Sequence, residues 1–129
     1  MATVEQIQAT IDRYIERFSS GDAAGWAALF SEGATQEDPV GTPVNVGREA
    51  IQAFYERTAE MLGGLTLLAK EDPVIIGHEA ALSLYALAGS GETRVRMPRI
   101  IDHMTFDDDA NITSLRAFWT MDSIIPDPA

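Results

Sequence analysis

Residues 100–106 read IIDHMTF, in which side chains alternate between two faces in the way that is typical of a β-strand. The alternation places Asp102 on the apolar face, where an unpaired charge would be costly. A buried carboxyl group usually raises its pKa and stays protonated, and it can then donate a hydrogen bond to a developing oxyanion. The alternative is an Asp102 that turns to solvent or pairs with Arg99 or Arg116, because aspartate is rarely buried without a partner.

Helical patterns come first along the chain and strand patterns follow, which predicts an α+β fold. The helices are identified by caps and helical spacing, and the strands by apolar runs between turn residues. The predicted helices run from the capping box at Thr3 to Gly21, from Asp22 through Trp26, Leu29 and Phe30, and from Gly47 to Gly63. An extended segment is predicted at 35–38, strands at 65–70, 74–76, 80–88, 93–106 and 112–120, and a tail at 124–129.

Length and composition limit the classes of function. A chain of 129 residues fits a single domain, 1–129, with room for one core and a pocket. With 20 acidic and 9 basic residues the net charge is -11, which argues against nucleic acid and anionic membranes as partners. The sequence has no cysteine, no secretory signal pattern and no apolar run long enough to span a bilayer, so we expect a cytoplasmic protein.

The strand predicted at residues 80–88 is apolar on both faces. One face of the sheet is expected to pack against the helices, so the other needs a different cover. A second copy of the chain is the simplest cover, and we therefore expect a homodimer.

Two further residues are candidates for chemistry. Tyr14 shares the apolar stripe of the first helix, so its hydroxyl needs a buried partner; the alternative is a core tyrosine bonded to a backbone carbonyl. Asp38 precedes Pro39 at a strand end beside a glycine-rich loop, where it can place a carboxylate at a pocket mouth or serve as a turn residue. One ionised carboxylate and two neutral donors are what proton abstraction next to a carbonyl requires.

Several groups of residues match one known family. The groups are Tyr14, EDPVG at 37–41, Gly47-Arg48 with Ile51 and Phe54-Tyr55, Ile101-Asp102-His103, and LRAFW at 115–119. Together they resemble the ketosteroid isomerases (steroid Δ5-isomerases) of the NTF2-like, or SnoaL-like, superfamily, over nearly the whole chain. The three functional residues in combination are more specific than any single motif.

This resemblance implies three helices packed on a strongly curved, mostly antiparallel sheet that forms a cone around a deep apolar pocket, as in NTF2-like and cystatin-like folds, and a homodimer. It implies that Asp38 moves a proton from C4 to C6 of an apolar steroid, while Tyr14 and a protonated Asp102 bind the dienolate oxygen. Tyr55 would support Tyr14, and Phe30 excludes a third tyrosine. The expected substrate-binding residues are Phe54, Tyr55, Leu84, Ala86, Met104, Ala117 and Trp119, with Trp119 near the base.

Two other functions remain open on these residues. A related lyase or cyclase could use Asp38 on another apolar ketone, and a steroid or lipid carrier could keep the cavity without turnover. A carrier has no need of a base beside two acid donors. The hairpin that leads to Asp102 is about one residue longer than in the resembling family, so the strand register of residues 86–99 stays open.

No cofactor and no metal site is predicted. His78 and His103 have no second ligand at metal spacing. The acidic run DDDAN at 107–111 lacks the spaced ligands, central glycine and terminal glutamate of a calcium-binding EF-hand loop, so it is predicted to be a solvated hairpin turn.

Overall fold

The computed structural model of the chain describes residues 1–128, and within them three helices pack on a curved, open, mixed sheet. The predicted α+β fold class is therefore confirmed. The helices are α1 (Val4–Ser20), α2 (Ala23–Ala27) and α3 (Arg48–Leu62). The strands are β1 (Phe30–Glu37), β2 (Asn45–Val46), β3 (Leu65–Ala69), β4 (Val74–Ile76), β5 (Glu79–Ala88), β6 (Val95–Phe106), β7 (Ile112–Phe118) and β8 (Ile125–Pro126).

Local sequence signals set the ends of the long helices. The Thr3 side chain accepts a hydrogen bond from the Gln6 backbone N–H, and the Gln6 side chain accepts one from the Thr3 N–H, which completes the predicted capping box. Gly21 ends α1 in the left-handed conformation, with φ of 78°, and Gly63 ends α3 in the same way, with φ of 74°. These helix boundaries agree with the sequence prediction.

The sheet is mostly antiparallel. Its strand order is β2-β1-β7-β6-β5-β3, with β4 added beside β5 and β8 beside β6. The pair formed by β1 and β7 is parallel, and the other pairs are antiparallel. The parallel pair brings the end of β1 next to the end of β7, with Glu37 opposite Arg116. Residues 38 and 119 directly follow these two strands, so the register places them side by side at the same end of the sheet.

A β-bulge in β6 changes which residues face inward. Leu84 of β5 pairs with Ile100 of β6. The next inward residue of β5, Ala86, pairs with Met97, so residues 98–99 lie opposite a single residue of β5. Even-numbered residues face the core from Ile100 onward, whereas Met97 faces the same side before the bulge. The alternation predicted for residues 100–106 therefore holds, and the bulge settles the strand register that the sequence left open for residues 86–99.

The second helix is shorter than predicted. It ends at Ala27, and Phe30 is the first residue of β1 rather than part of the helical stripe. Phe30 pairs with Ile112, and the Leu29 carbonyl accepts a hydrogen bond from the Ile112 N–H at 2.9 Å. Residues 26, 29 and 30 have the spacing of a buried helix face, so local sequence also allows a helix through Phe30. The pairing of Phe30 with β7 makes it part of a strand instead.

Three smaller differences occur at the strand ends. The short polar strand β2 was not predicted, and β6 begins at Val95 because Gly91–Thr93 forms a single 3₁₀ turn. The tail prediction is wrong for Ile125–Pro126, which pairs with Val95 and Arg96 of β6. Ala129, the last residue of the predicted tail, lies outside the described residues.

The sheet has two different faces. On β5 the inward residues Leu82, Leu84, Ala86 and Ala88 are buried, and the outward Ser83, Tyr85 and Leu87 are partly exposed. Large apolar side chains also reach solvent from neighbouring strands, where Ile101 is 46% exposed and Phe118 is 42% exposed. No helix within residues 1–128 is long and apolar enough to cross a membrane.

Candidate active site

Tyr14 lies on the buried face of α1 and is 3% exposed. Side-chain hydrogen bonds from Thr10 and Ser19 help to hold this helix on the rest of the chain. Thr10 Oγ1 donates to the Ala110 carbonyl at 2.8 Å, in the turn between β6 and β7. Ser19 Oγ donates to the Leu67 carbonyl on β3 at 2.9 Å. Because these two bonds lie on either side of Tyr14 along the helix, they hold the Tyr14 ring in a defined position over the sheet.

Asp102 is buried within β6 and is 3% exposed. Its Oδ2 accepts a hydrogen bond from the Tyr14 hydroxyl at 3.3 Å, so Tyr14 is not bonded to a backbone carbonyl. Arg116 donates instead to Glu37 at 3.0 Å, and Arg99 is exposed. The alternative readings of both residues, an exposed or arginine-paired aspartate and a plain core tyrosine, are therefore wrong.

The surroundings favour the protonated forms of both groups. Burial raises the pKa of Asp102 well above its usual value, the charge of Asp38 raises it further, and the Tyr14 hydrogen bond only partly opposes the rise. Burial also raises the pKa of Tyr14 well above its usual value, with the charges of Asp102 and Asp38 acting in the same direction. The pair can therefore present two neutral hydrogen-bond donors to the same space.

Asp38 follows the last residue of β1 and is partly buried. Trp119, which follows β7, donates from Nε1 to Asp38 Oδ1 at 2.7 Å. Burial raises the pKa of Asp38, and the Trp119 hydrogen bond lowers it without cancelling the rise. The parallel pairing of β1 with β7 accounts for this contact, because it brings the two strand ends together. Asp38 is thus a stronger base than a free aspartate and keeps Oδ2 able to accept a proton.

Tyr14, Asp38 and Asp102 line one cavity of about 320 Å³. Most of the wall is apolar, and Asp38 and Asp102 are its two acidic residues. Representative wall residues are Phe18 of α1, Phe54 of α3, Leu67 of β3, Ala86 of β5, and Met97 and Ile100 of β6. A mostly apolar cavity with a few convergent polar groups is typical of a site for a small apolar molecule.

The cavity wall includes four of the seven predicted substrate-binding residues: Phe54, Tyr55, Ala86 and Trp119. The other three, Leu84, Met104 and Ala117, are buried in the sheet but are not in the wall. Met104 lies two residues beyond Asp102 on β6, and Ala117 lies directly opposite Asp102 in register. The cavity therefore closes at Asp102 on β6 and between Ala86 and Leu84 on β5.

Several wall residues were missed by the sequence analysis. Met97 was missed because the bulge at residues 98–99 reverses its facing. Met121 and Ile124 line the cavity because the C-terminal segment folds back to form β8, which local patterns do not reveal. Trp26 was assigned only to the apolar stripe of the second helix, although its indole nitrogen is a signal for a polar role.

Tyr55 does not form the expected hydrogen bond with Tyr14. Its hydroxyl donates to the Phe18 backbone carbonyl at the end of α1. Trp26 packs against both tyrosines, with ring centroids 5.7 Å from Tyr14 and 5.2 Å from Tyr55. As expected, Phe30 adds a ring beside Tyr14, at 6.4 Å, but no hydroxyl.

The other polar groups form structural contacts. Asp107 Oδ1 accepts hydrogen bonds from the backbone N–H groups of Asp109 and Asn111, as expected for a hairpin turn. His103 lies 2.8 Å from Glu79 on the neighbouring strand. In the described part of the chain, no three His, Asp or Glu side chains are grouped in a way that could hold a metal ion.

Comparison with known proteins places these residues in a family context. A family model of the SnoaL-like domain matches residues 11–115. A steroid Delta-isomerase of Nocardioides simplex is 38% identical over 124 residues, which cover 96% of this chain and 98% of the relative. The solved structure of SalBIII, an epoxide hydrolase/cyclase-like enzyme in pyran ring formation in the polyether salinomycin, superposes with a TM-score of 0.86. That protein is 26% identical, and the match covers 98% of this chain and 99% of the other.

The names of the two relatives describe different reactions, but both relatives are named as enzymes or enzyme-like proteins. Together with the family model they support an enzyme of the isomerase or lyase type. The family model spans most of the chain, including Tyr14, Asp38 and Asp102. The chain therefore belongs to the SnoaL-like domain family, within the NTF2-like fold.

Proposed function

We propose that this protein is a steroid Δ-isomerase, which converts 3-oxo-Δ5-steroids into conjugated 3-oxo-Δ4-steroids. The observation that carries the proposal is the set of three groups in one apolar cavity: a carboxylate, Asp38, and two groups held in their protonated forms, Tyr14 and Asp102. Proton abstraction beside a carbonyl needs a base and donors for the enolate oxygen. The relative from Nocardioides simplex supports the same reaction.

The proposed reaction returns every group to its starting state. The Asp38 carboxylate removes a proton from C4, and the electron pair moves to the C3 oxygen to give a dienolate. Tyr14 and protonated Asp102 each donate a hydrogen bond to that oxygen. Asp38 then gives its proton to C6, the double bond forms between C4 and C5, and the carbonyl is restored. The net change is the transfer of one proton within the substrate, so no cofactor is consumed.

The environments of the two carboxyl groups support their different roles. Asp102 is 3% exposed at the closed end of the cavity, and the charge of Asp38 disfavours its ionisation. Asp38 is partly buried, and the Trp119 N–H stabilises its charged form. When two nearby carboxyl groups compete to ionise, the better solvated and hydrogen-bonded one loses its proton first. Asp38 is therefore the base, and Asp102 is the acid donor.

A cyclase or epoxide hydrolase is the second candidate. The SalBIII structure shows that the same fold occurs in an epoxide hydrolase/cyclase-like enzyme. Such an enzyme would use Asp38 on a hydroxyl group or an epoxide and would leave a steroid enone unchanged. A carrier, the third candidate, would bind the steroid and release it without reaction.

We also propose that the protein is a cytoplasmic homodimer formed through the outer face of the sheet. Ile101 and Phe118 lie on this face and are each more than two-fifths exposed. Tyr85 and Leu87 of β5 extend the apolar surface. A single copy would leave these apolar side chains in water, and exposed groups of large apolar side chains commonly mark an interface.

The test is isomerisation of 5-androstene-3,17-dione, followed by the ultraviolet band of the conjugated product. We expect turnover by the wild-type protein and a loss of about 10²- to 10⁴-fold in rate for Asp38→Asn, with steroid binding retained. Glu37→Gln is the matched control, because the neighbouring Glu37 pairs with Arg116 and is not in the cavity wall. Binding without turnover by the wild type would favour the carrier, and full activity of Asp38→Asn would remove Asp38 from the mechanism.

A further inference from the structure

Trp26 carries a buried polar atom without a partner. The residue is 1% exposed and belongs to the short helix α2. Its Nε1 is sealed from solvent and, within residues 1–128, has no hydrogen-bond acceptor in standard geometry. Buried indole N–H groups usually find a partner, because leaving the donor unpaired destabilises the fold. An unpaired donor in the wall of a candidate active site is therefore a candidate functional group.

The surroundings of the indole limit the possible acceptors. Its packed aromatic neighbours are Tyr14, Phe18, Phe30 and Tyr55, of which only the two tyrosines carry an oxygen. The Tyr55 hydroxyl is held by the Phe18 carbonyl. The Tyr14 hydroxyl donates its proton towards Asp102 and keeps its lone pairs available. Since Nε1 does not contact the open cavity, a protein oxygen suits it better than a substrate atom.

We propose that the Trp26 indole N–H donates a hydrogen bond to the Tyr14 hydroxyl oxygen when the closed end of the cavity is occupied. This makes Trp26 a positioning residue for Tyr14, in the place that the family resemblance assigned to Tyr55. The Tyr14–Asp102 hydrogen bond is long, at 3.3 Å, so Asp102 holds the Tyr14 hydroxyl only weakly and leaves it free to reorient when a ligand binds.

The hydrogen bond would act on the strength of Tyr14 as a donor. A donor aimed at the phenol oxygen stabilises negative charge on that oxygen, so the O–H becomes more acidic and forms a stronger bond to an oxyanion. The Trp26 N–H is near enough to the Tyr14 oxygen to lower the pKa of Tyr14 against the larger upward effect of burial, although the contact falls outside standard hydrogen-bond geometry. The pKa of Tyr55 is instead raised by burial and by the charge of Asp22. Trp26 therefore acts on the tyrosine that faces Asp102.

The inference rests on the proposed role of Tyr14 in binding an oxyanion, but its test does not require steroid turnover. The probe is 2-naphthol, an apolar aromatic alcohol whose fluorescence distinguishes the ionised form from the neutral form. Its dissociation constant and bound ionised fraction are measured for the wild type, Trp26→Phe, Tyr14→Phe and the double variant. Phenylalanine keeps an aromatic ring at position 26 and removes the N–H.

We expect Trp26→Phe to weaken 2-naphthol binding by about 3- to 10-fold when Tyr14 is present and to have almost no effect in the Tyr14→Phe background. The ionised fraction of the bound probe should fall in parallel. Tyr55→Phe is the matched control, because its hydroxyl is bonded to Phe18, and its effect should be the same in both backgrounds. A purely packing role of Trp26 would likewise give equal losses in both backgrounds.

Equal losses, or no loss, for Trp26→Phe would overturn the inference. Failure of 2-naphthol to bind the wild type would also overturn it, because the closed end would then lack the donors on which Trp26 acts. If Trp26→Phe does not fold, a benzothienylalanine at position 26 replaces the N–H with sulfur in a ring of nearly the same shape. Its effect on 2-naphthol binding is then measured with and without the Tyr14 hydroxyl, as before. If the effect of Trp26→Phe depends on Tyr14 but the protein does not isomerise the steroid, the inference stands and only the proposed substrate is rejected.

Discussion

Replacing Asp102 with asparagine should make the protein more stable at neutral pH. The side chain is 3% exposed, its one hydrogen bond within residues 1–128 is the 3.3 Å contact with Tyr14, and burial raises its pKa well above the usual value. A carboxyl group with a raised pKa in the fold contributes stability that is fully present below its unfolded pKa. That stability is lost as the pH rises towards the folded pKa. An asparagine side chain has the same shape and does not titrate, so the Asp102→Asn variant avoids this loss.

The magnitude follows from linkage. If Asp102 stays protonated in the fold at pH 7, the unfolded chain releases its proton, and each pH unit above the unfolded pKa lowers the free energy of unfolding by about 1.4 kcal/mol. Between the pKa of an unfolded aspartate and pH 7 the loss adds up to about 4 kcal/mol at most. The difference in stability between Asp102→Asn and the wild type should therefore grow steadily from pH 4 to pH 7.

The assay is urea unfolding of both proteins at intervals from pH 4 to pH 8. Asp72→Asn is the matched control, because it makes the same substitution at an exposed position outside the cavity wall. A difference that is flat with pH, or that falls as the pH rises, would refute the reasoning. It would mean that Asp102 is ionised in the fold.

Activity should change in the opposite direction to stability. Asp102→Leu removes an oxyanion donor and should lower the isomerisation rate by about 10²- to 10³-fold, as should Tyr14→Phe. Asp102→Asn keeps an N–H donor and should be less damaging. If asparagine and leucine are equally damaging, the neutral-donor role of Asp102 is wrong.

Two further predictions concern the base and the outer face. Trp119→Phe removes the N–H that lowers the pKa of Asp38, so the acid limb of the pH profile of kcat/KM should move to higher pH; an unchanged limb would contradict the role of Trp119. The wild type should sediment as a dimer, and Ser83→Glu or Tyr85→Glu on the outward face of β5 should weaken it, whereas a monomeric wild type would contradict the proposed interface. Leu84→Ala on the inward face should instead destabilise the fold by about 2–5 kcal/mol and leave the subunits associated.

The candidate site shows how far local patterns reach. Asp102 could be placed on an apolar face because side chains in a strand alternate, and Tyr14 on a buried stripe because helical residues recur at fixed spacing. Neither pattern could show that the two side chains are hydrogen-bonded, since they are 88 positions apart in the chain. The predicted wall residues Leu84, Met104 and Ala117 are inward-facing, as expected, but the depth at which the cavity closes depends on how α1 packs on the sheet.

The amino-acid sequence by itself determined that helices precede most of the sheet, the limits of α1 and α3, and the inward face of the central strands. Capping, glycine termination and side-chain periodicity act within a few neighbouring residues, so they can be identified from the local sequence. The tertiary structure alone decided that Phe30 begins a strand, that residues 98–99 bulge, and that the C-terminal segment returns to pair with β6. It also decided that Tyr55 bonds to Phe18 and leaves Trp26 beside Tyr14. These features depend on contacts between residues that are far apart in the chain, and no pattern of neighbouring residues predicts such contacts.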